Sequence, residues 1–260
     1  MNYTLITGAS SGIGYELAKN FARNKHNLIL VARSTNKLQD LKSEILAQHQ
    51  IQVEVLTCDL SQPQSAQKLF ETVQNKKWSV DILVNNAGFG THGTFVDIEL
   101  KKTQDMIQLN IVTLTELTKL FLPDMISKKS GRILNVASTA SFQPGPLMSV
   151  YYATKAFVLF FSEGIFEELK NTGVTVTALC PGPTESGFQQ AANLGDVNLF
   201  DTMKIPTSKM VAEYGYKALM QGKVVAVHGG MNKIFSSTVG IFPRGLVRKL
   251  VMKLQQKRLP

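Results

Sequence analysis

Short apolar runs alternate with longer amphipathic segments along the whole chain. The runs with the length of strands lie at residues 3–7, 28–31, 53–57, 82–84, 133–136, 174–179 and 224–227. Most are continuously apolar, which is typical of parallel strands covered on both faces. Helix-like segments lie between them, at residues 12–24, 36–48, 63–75, 101–127, 151–170 and 208–221. This alternation predicts an α/β fold with one doubly wound parallel sheet of about seven strands, flanked by helices.

Two stretches depart from this alternation. Residues 183–207 carry few regular signals, and a loop of that length in a compact domain is usually functional. Residues 229–260 follow the last predicted strand as a tail. No linker, repeat or low-complexity segment interrupts the rest. We therefore predict one domain over residues 1–228, which includes the loop 183–207, followed by the tail.

The net charge of +9 is concentrated at one end of the chain. Glu213 is the last acidic residue, and nine basic residues follow it, so the part up to Glu213 holds 19 basic and 19 acidic groups. The basic residues beyond Glu213 are Lys217, Lys223, Lys233, Arg244, Arg248, Lys249, Lys253, Lys257 and Arg258. A protein that coats nucleic acid needs a broadly basic surface, so we predict no nucleic-acid partner.

Cysteine content and hydropathy bear on disulfide bonds, metal binding and cellular location. Cys58 and Cys180 are far apart and lack the spacing of metal ligands, so neither a disulfide framework nor a metal site is expected. A strand-like run begins almost at the first residue, and no run of about 18 apolar residues occurs. We therefore expect no signal peptide or transmembrane helix, and a cytoplasmic location.

A glycine-rich turn joins the first predicted strand to the first predicted helix. Glycine allows tight turns and close approach of a ligand, and a helix N-terminus offers free N–H groups to a pyrophosphate. The spacing is Gly-x3-Gly-x-Gly rather than the common Gly-x-Gly-x-x-Gly. A turn without a ligand is the alternative, but its position favours dinucleotide binding. The candidate residues are Gly8, Ser10, Ser11, Gly12, Ile13 and Gly14.

The end of the second predicted strand bears on the choice of cofactor. Enzymes that prefer NAD usually carry a carboxylate there for the ribose 2′-hydroxyl, and this chain has none. Arg33 stands at this point and can form charge-assisted hydrogen bonds with a 2′-phosphate. NADP is therefore favoured over NAD; the alternative is that Arg33 is simply a solvated loop residue.

Tyr151 and Lys155 are the candidate chemical groups. Four residues apart on a predicted helix, they share one face. A tyrosine hydroxyl has a pKa near ~10, and a neighbouring ammonium lowers it, so that Tyr151 becomes a general acid or base near pH 7. Tyr152 points about 100° away around the helix. Such a pair is common by chance and, taken alone, is better explained as a surface contact. Ser138, however, follows a predicted strand thirteen residues earlier and faces the same crevice.

These residues form part of an ordered set that resembles the short-chain dehydrogenase/reductase family. The resemblance covers about residues 1–228, and the motif set as a whole is highly specific. Its members are Thr7-Gly8-x3-Gly12-x-Gly14, Asn85-Asn86-Ala87-Gly88, Asn110, Ser138, Tyr151-x3-Lys155 and Pro181-Gly182. The resemblance implies a Rossmann-type nucleotide-binding domain that acts as an oxidoreductase.

The resemblance also implies a role for each matching residue. Tyr151 would be the catalytic acid or base, Ser138 would polarise the substrate carbonyl, and Lys155 would bind the nicotinamide ribose. Asn110 would anchor a water that connects Lys155 to solvent. Asp59 and Leu60 would contact the adenine. Asn86, Ala87 and Gly88 would line the cofactor groove. The nicotinamide would be flanked by Pro181, Gly182, Thr184 and Ser186. Ser186 stands where many members have threonine, which keeps the hydroxyl.

The expected reaction is hydride transfer between NADP(H) and an apolar ketone or secondary alcohol, with carbonyl reduction favoured. Few charges occur among the candidate pocket residues, which are Phe89, Phe142, Leu147, Met148, Phe188, Leu194, Leu199 and Phe200. They equally well pack the loop. An NADP-binding sensor or scaffold without turnover is the alternative function, which the intact catalytic set disfavours.

Two helical segments bear on assembly and location. The segment 151–170 is apolar on more than one face, and with 101–127 it resembles the family's common dimer interface. A homodimer or homotetramer is therefore favoured over burial within one chain. After Pro243, apolar residues recur at steps of three and four among basic ones, which predicts a basic amphipathic helix. It packs on the domain or a partner subunit, or it attaches peripherally to an anionic membrane.

Overall fold

The computed structural model describes residues 1–188, residue 192 and residues 205–256. Within them, seven parallel strands form one sheet in the order β3-β2-β1-β4-β5-β6-β7. The strands are β1 (Asn2–Thr7), β2 (Asn27–Ala32), β3 (Val53–Thr57), β4 (Ser79–Asn85), β5 (Gly131–Val136), β6 (Val174–Cys180) and β7 (Val225–Val227). The predicted doubly wound, Rossmann-type fold is confirmed, with strand bounds that differ by a few residues.

Helices cover both faces of the sheet. In the described part of the chain they are α1 (Gly12–Arg23), α2 (Thr35–Leu46), α3 (Ser65–Asn75), α4 (Leu100–Ile107), α5 (Leu114–Ser127), α6 (Ser149–Glu168), α7 (Ser208–Met220), α8 (Gly230–Thr238) and α9 (Arg244–Gln255). The predicted amphipathic helix of the tail exists as α9, whereas α8 was not predicted. Among the described helices, none has the length and apolarity that a membrane crossing requires.

The side chains of each central strand alternate between two apolar layers. In β1, Ile6 packs with Leu17 and Phe21 of α1, while its neighbour Leu5 packs on the opposite face with Phe121 of α5. Successive side chains of a strand point to opposite faces, so both sets must be apolar when helices cover both faces. This burial explains why the strand sequences read as continuous apolar runs.

The prediction of one continuous helix over residues 101–127 is wrong in its middle. The helix α4 ends at Ile107, a π-helical turn occupies Gln108–Thr113, and α5 follows. Within this turn, the Nδ2 of Asn110 donates to the Phe89 carbonyl and to the Thr154 hydroxyl, both at 3.0 Å, and its Oδ1 accepts from the Phe89 N–H at 3.2 Å. A π-helical turn inserts an extra residue and reorients the side chains, and hydropathy alone carries no signal for it.

The strand order places the ends of distant strands at one edge of the sheet. From β1 the chain builds outward through β2 and β3, then returns so that β4 pairs with the other side of β1. In open α/β sheets, ligands bind where the order reverses, outside the carboxyl ends of the strands. Glycine-rich, asparagine-containing and serine-containing segments all follow strands at this edge.

Candidate active site

The glycine-rich turn is held against the end of β4 with little free space. Gly8 has a left-handed backbone (φ +67°), and a Cβ at Gly14 would lie 2.3 Å from the Gly8 carbonyl oxygen. The Nδ2 of Asn86 donates to the carbonyls of Thr7, at 2.9 Å, and Gly8, at 3.2 Å. The Thr7 hydroxyl accepts from the N–H groups of Asn86 and Ala87, both at 3.0 Å. This cradle, which only glycine fits, leaves the start of α1 open to a phosphate group.

A cavity of about 620 Å³ extends from this turn across the sheet edge. Its walls contain every predicted site residue except two. Gly14 packs against the Gly8 carbonyl, and Asn110 hydrogen-bonds with the backbone of Phe89. The predicted residues that line it are Gly8, Ser10, Ser11, Gly12, Ile13, Arg33, Asp59, Leu60, Asn86, Ala87, Gly88, Ser138, Tyr151, Lys155, Pro181, Gly182, Thr184 and Ser186. The predicted residues in its wall are therefore up to 178 positions apart, from Gly8 to Ser186.

Tyr151, Ser138 and Lys155 lie together in the middle of the cavity. Ser138 follows β5, accepts a hydrogen bond from the Ala140 N–H at 3.1 Å, and donates one to the Pro181 carbonyl at 3.4 Å. The Nζ of Lys155 lies 5.8 Å from the centre of the Tyr151 ring and donates to the Val136 carbonyl at 2.7 Å. The arrangement places a hydroxyl donor, a phenol and a buried cation at one point of the wall.

The structure contradicts the expected direction of the Tyr151 pKa shift. Burial raises the pKa of Tyr151 well above its ordinary value, and the neighbouring Ser138 hydroxyl offsets only part of this rise. The expected lowering by Lys155 is absent because the ammonium group is directed at the Val136 carbonyl. Burial also lowers the pKa of Lys155, from 10.5 to about 8, so that it remains largely protonated at pH 7.

Basic and acidic groups meet at the far end of the cavity, beyond the glycine-rich turn. Arg33 and Lys37 both line this end, and Lys37 was not predicted although it lies on the first turn of α2. Burial tends to raise the pKa of Asp59, but hydrogen bonds from Ser61 and Gln62 and the charge of Arg33 bring it below the usual range. Asp59 is thus a carboxylate already engaged by neighbours, and two cations face the same end.

The opposite end of the cavity is apolar. Phe89, Met148 and Phe188 line it, as predicted, and the ring centres of Phe188 and Tyr151 are 5.2 Å apart. Tyr152 lines it as well, with its ring centre 6.2 Å from that of Tyr151. Of the other candidate pocket residues, Phe142 packs in an adjoining apolar cluster, Leu147 is not part of the cavity wall, and Leu194, Leu199 and Phe200 lie outside the described residues.

Gln255, at the end of α9, is a wall residue that the sequence analysis missed. Its side chain is buried, and its Nε2 donates to the Tyr152 hydroxyl at 2.7 Å. Its carbonyl oxygen lies 2.7 Å from the Nε2 of His92. A lone glutamine in a basic amphipathic helix carries no sequence signal for such a contact, since the contact depends on how the helix docks.

Comparison with known proteins identifies the family. A family model described as short chain dehydrogenase matches residues 2–196. The chain belongs to the short-chain dehydrogenase family. It is therefore an oxidoreductase with a nicotinamide dinucleotide site, which agrees with the glycine cradle and with the cavity at the sheet edge.

Relatives of this short-chain dehydrogenase include both sequences and solved structures. A very-long-chain 3-oxoacyl-CoA reductase from Anas platyrhynchos is 30% identical, over 98% of this chain and 80% of the relative. A short-chain dehydrogenase from Sphingobium yanoikuyae, solved in complex with NADPH, is 30% identical with a TM-score of 0.82, over 93% of this chain and 95% of that chain. The bulky-bulky ketone specific alcohol dehydrogenase from Comamonas testosteroni is 30% identical with a TM-score of 0.77, over 93% of each chain.

Proposed function

We propose that this short-chain dehydrogenase uses NADPH to reduce an apolar ketone or ketoacyl group to the secondary alcohol, with Tyr151 as the proton donor. One observation carries the proposal: Tyr151 and Ser138 lie between a glycine cradle with two cations at one end and an apolar wall at the other. A substrate carbonyl beside both hydroxyls would have its apolar body against Phe89, Met148 and Phe188.

The proposed roles follow from the surroundings of each side chain. A reduced nicotinamide, when bound, supplies a hydride to the carbonyl carbon. Burial keeps Tyr151 protonated at neutral pH, which suits it to give a proton to the carbonyl oxygen during reduction. Ser138 donates a hydrogen bond to the same oxygen, and Lys155, whose Nζ donates to the Val136 carbonyl, would bind the nicotinamide ribose. Asn110 holds the backbone of Phe89 and so fixes the wall beside them.

The two cations at the far end support a preference for NADP over NAD. Arg33 and Lys37 both line this end and would contact a ribose 2′-phosphate, and the relative from Sphingobium yanoikuyae was solved with NADPH. Hydrogen bonds to charged groups contribute about 1.5–3 kcal/mol each, so Arg33→Ala should raise the KM for NADPH about 10- to 100-fold and leave that for NADH nearly unchanged. Arg23→Ala, at an exposed ion pair with Glu213, is the control. An unchanged cofactor preference would contradict this assignment.

The substrate class can be tested with a panel of ketones and ketoacyl thioesters, followed by the absorbance of NADPH. We expect turnover of apolar members, and higher kcat/KM as the apolar part grows. Binding of NADPH without turnover of any member would instead support the alternative function, a sensor or scaffold.

An apolar surface on α6 supports assembly into a homodimer or homotetramer. Phe160 is 68% exposed, and Phe157 and Phe161 stack with ring centres 5.6 Å apart. Light scattering coupled to size exclusion should give twice the chain mass of 28.7 kDa or more. The variant Phe160→Asp should shift the protein toward the monomer, and a wild-type monomer would contradict the proposal.

A further inference from the structure

The C-terminal segment, residues 229–256, presents an apolar surface to solvent. We define its outer face by six large apolar side chains, each more than half exposed. They are Met231, Ile234, Ile241, Phe242, Leu246 and Leu250. Single exposed apolar residues are common, but six within 20 positions indicate an interaction surface.

The helix α9 shows that the outer face is not needed to pack this segment on the domain. Its inner side is already docked, because Val247, Val251 and Gln255 are buried against the domain. Leu246 and Leu250, one helical turn apart, point the other way and are 57% and 51% exposed. The inner residues suffice to attach the helix, so packing of the domain does not explain the outer leucines.

The charge of the segment has one sign. Residues 229–256 contain five basic side chains and no acidic one, and all five are exposed. They are Lys233, Arg244, Arg248, Lys249 and Lys253. None of the salt bridges among the described residues includes any of the five.

We propose that the outer face docks the enzyme onto the surface of an anionic lipid bilayer. Apolar side chains would enter the boundary between headgroups and acyl chains, while the flanking cations pair with anionic headgroups. A second copy of the chain fits less well, because it would bring two sets of five cations together without a carboxylate. The charge complementarity therefore favours the bilayer as the occupant.

The same segment connects this face to the cavity. Gln255 lines the cavity and bonds to Tyr152, and its carbonyl oxygen meets His92. Shortly after His92, the side chains of Phe95 and Val96 are 69% and 87% exposed. Docking would thus hold at the bilayer a helix whose last residue lines the cavity. The proposal goes beyond the assigned reaction and does not depend on it, because binding to vesicles is measured without turnover.

The test is co-sedimentation of the full chain with vesicles. Phosphatidylcholine vesicles are compared with vesicles that also contain phosphatidylglycerol, at low and high salt. Wild-type protein should bind the anionic vesicles, and salt should weaken binding. Lys249→Glu with Lys253→Glu, and separately Leu246→Asp with Leu250→Asp, should each reduce binding at least about tenfold. Lys68→Glu with Lys102→Glu changes the net charge equally at exposed positions elsewhere and should retain most of the binding.

The outcomes separate docking from its alternatives. Retained NADPH binding shows that each variant is folded; if the leucine pair fails to fold, the exposed lysine pair still decides. No binding of the wild type to either vesicle, or equal loss in the control pair, would overturn the proposal. An oligomer that dissociates in the leucine variant, without vesicle binding, would assign the face to a second copy of the chain.

Discussion

The two ends of the cavity are built in different ways. At the cofactor end, backbone groups and short side chains at strand ends form the wall, and Asn86 ties the turn to β4 through two hydrogen bonds. At the substrate end, the wall consists of large side chains from separate segments of the chain, which include α6 and the last residue of α9. The first end tolerates almost no added atoms, whereas the second depends on how distant segments dock.

This difference indicates how tightly each end constrains the sequence. The cofactor end needs residues at fixed spacing around one turn, so its pattern can persist while the rest of the sequence changes. The substrate end includes α9, which lies outside the matched residues 2–196. Substitutions at Tyr151, Gly14, Lys155 and Gln255 test whether the two ends differ in this way.

Tyr151 lies between the cofactor end and the substrate end, so its substitution should reduce turnover while both ends still bind their ligands. Tyr151→Phe removes the proton donor but keeps the ring against Phe188. General acid catalysis contributes about 10²–10⁴-fold, and we expect a fall in kcat of about 10³-fold. NADPH affinity, measured by fluorescence titration, should change little. Tyr152→Phe is the matched control and should keep most of the turnover; comparable turnover in the two variants would refute the role of Tyr151.

Gly14→Ala should damage the cofactor end through sterics alone. The added Cβ would lie 2.3 Å from the Gly8 carbonyl oxygen and 2.4 Å from the Asn86 Nδ2, which forces the turn away from β4. Overpacking of this kind costs up to about 3 kcal/mol in the free energy of unfolding, and NADPH affinity should fall with it. Gly164→Ala is the control, because a Cβ there meets nothing within 4 Å. Equal stability of the two variants, measured by urea unfolding, would show that the turn is less constrained than its contacts indicate.

The cofactor end was easier to predict from the sequence than the substrate end. The strands and the cofactor turn were predictable because local spacing and burial on both faces leave a direct mark in the sequence. The site residues Gly8, Ser138 and Lys155 were expected at one sheet edge, and the structure places all three in one cavity. Their catalytic and binding roles remain predictions.

What was missed depends on long-range packing. The π-helical turn at Asn110 reflects hydrogen bonds to Phe89 and Thr154, which are distant in sequence. The Tyr151 pKa was expected to fall because spacing alone places a lysine beside it, yet spacing does not reveal that the lysine donates to Val136. Gln255 is the clearest case, since its contact with Tyr152 spans 103 positions.

Lys155 should make stability depend on pH in a recognisable direction. Burial lowers its pKa in the folded chain to about 8, from 10.5. The unfolded chain therefore holds more protons between these values, so the free energy of unfolding rises with pH in that range. From about pH 7.5 to 9.5 this group alone contributes a rise of about 2 kcal/mol.

Lys155→Met should lack that rise, because methionine has no proton to lose. The measurement is urea unfolding of both proteins across this range. Cys180, whose pKa burial raises to about 12, acts in the opposite direction and interacts with the Lys155 charge, so both proteins are compared in a Cys180→Ser background. Parallel curves would mean that Lys155 is not a desolvated cation in the folded chain.

Gln255→Ala should produce the smallest effect and confine it to the substrate end. The Tyr152 hydroxyl would lose its 2.7 Å partner, and a net hydrogen bond contributes about 1 kcal/mol. We expect about a fivefold rise in the substrate KM with the KM for NADPH unchanged. Gln256→Ala, at the exposed neighbouring position, should leave both values as they are.

A double-mutant cycle with Tyr152→Phe shows whether α9 acts through this contact. Because the two side chains share one hydrogen bond, the double variant should lose less than the sum of the single changes. Simple additivity would place the effect of Gln255 elsewhere. A change in the KM for NADPH instead of the substrate KM would show that the ends are not independent, because the docking of α9 would then reach across the cavity to the glycine cradle.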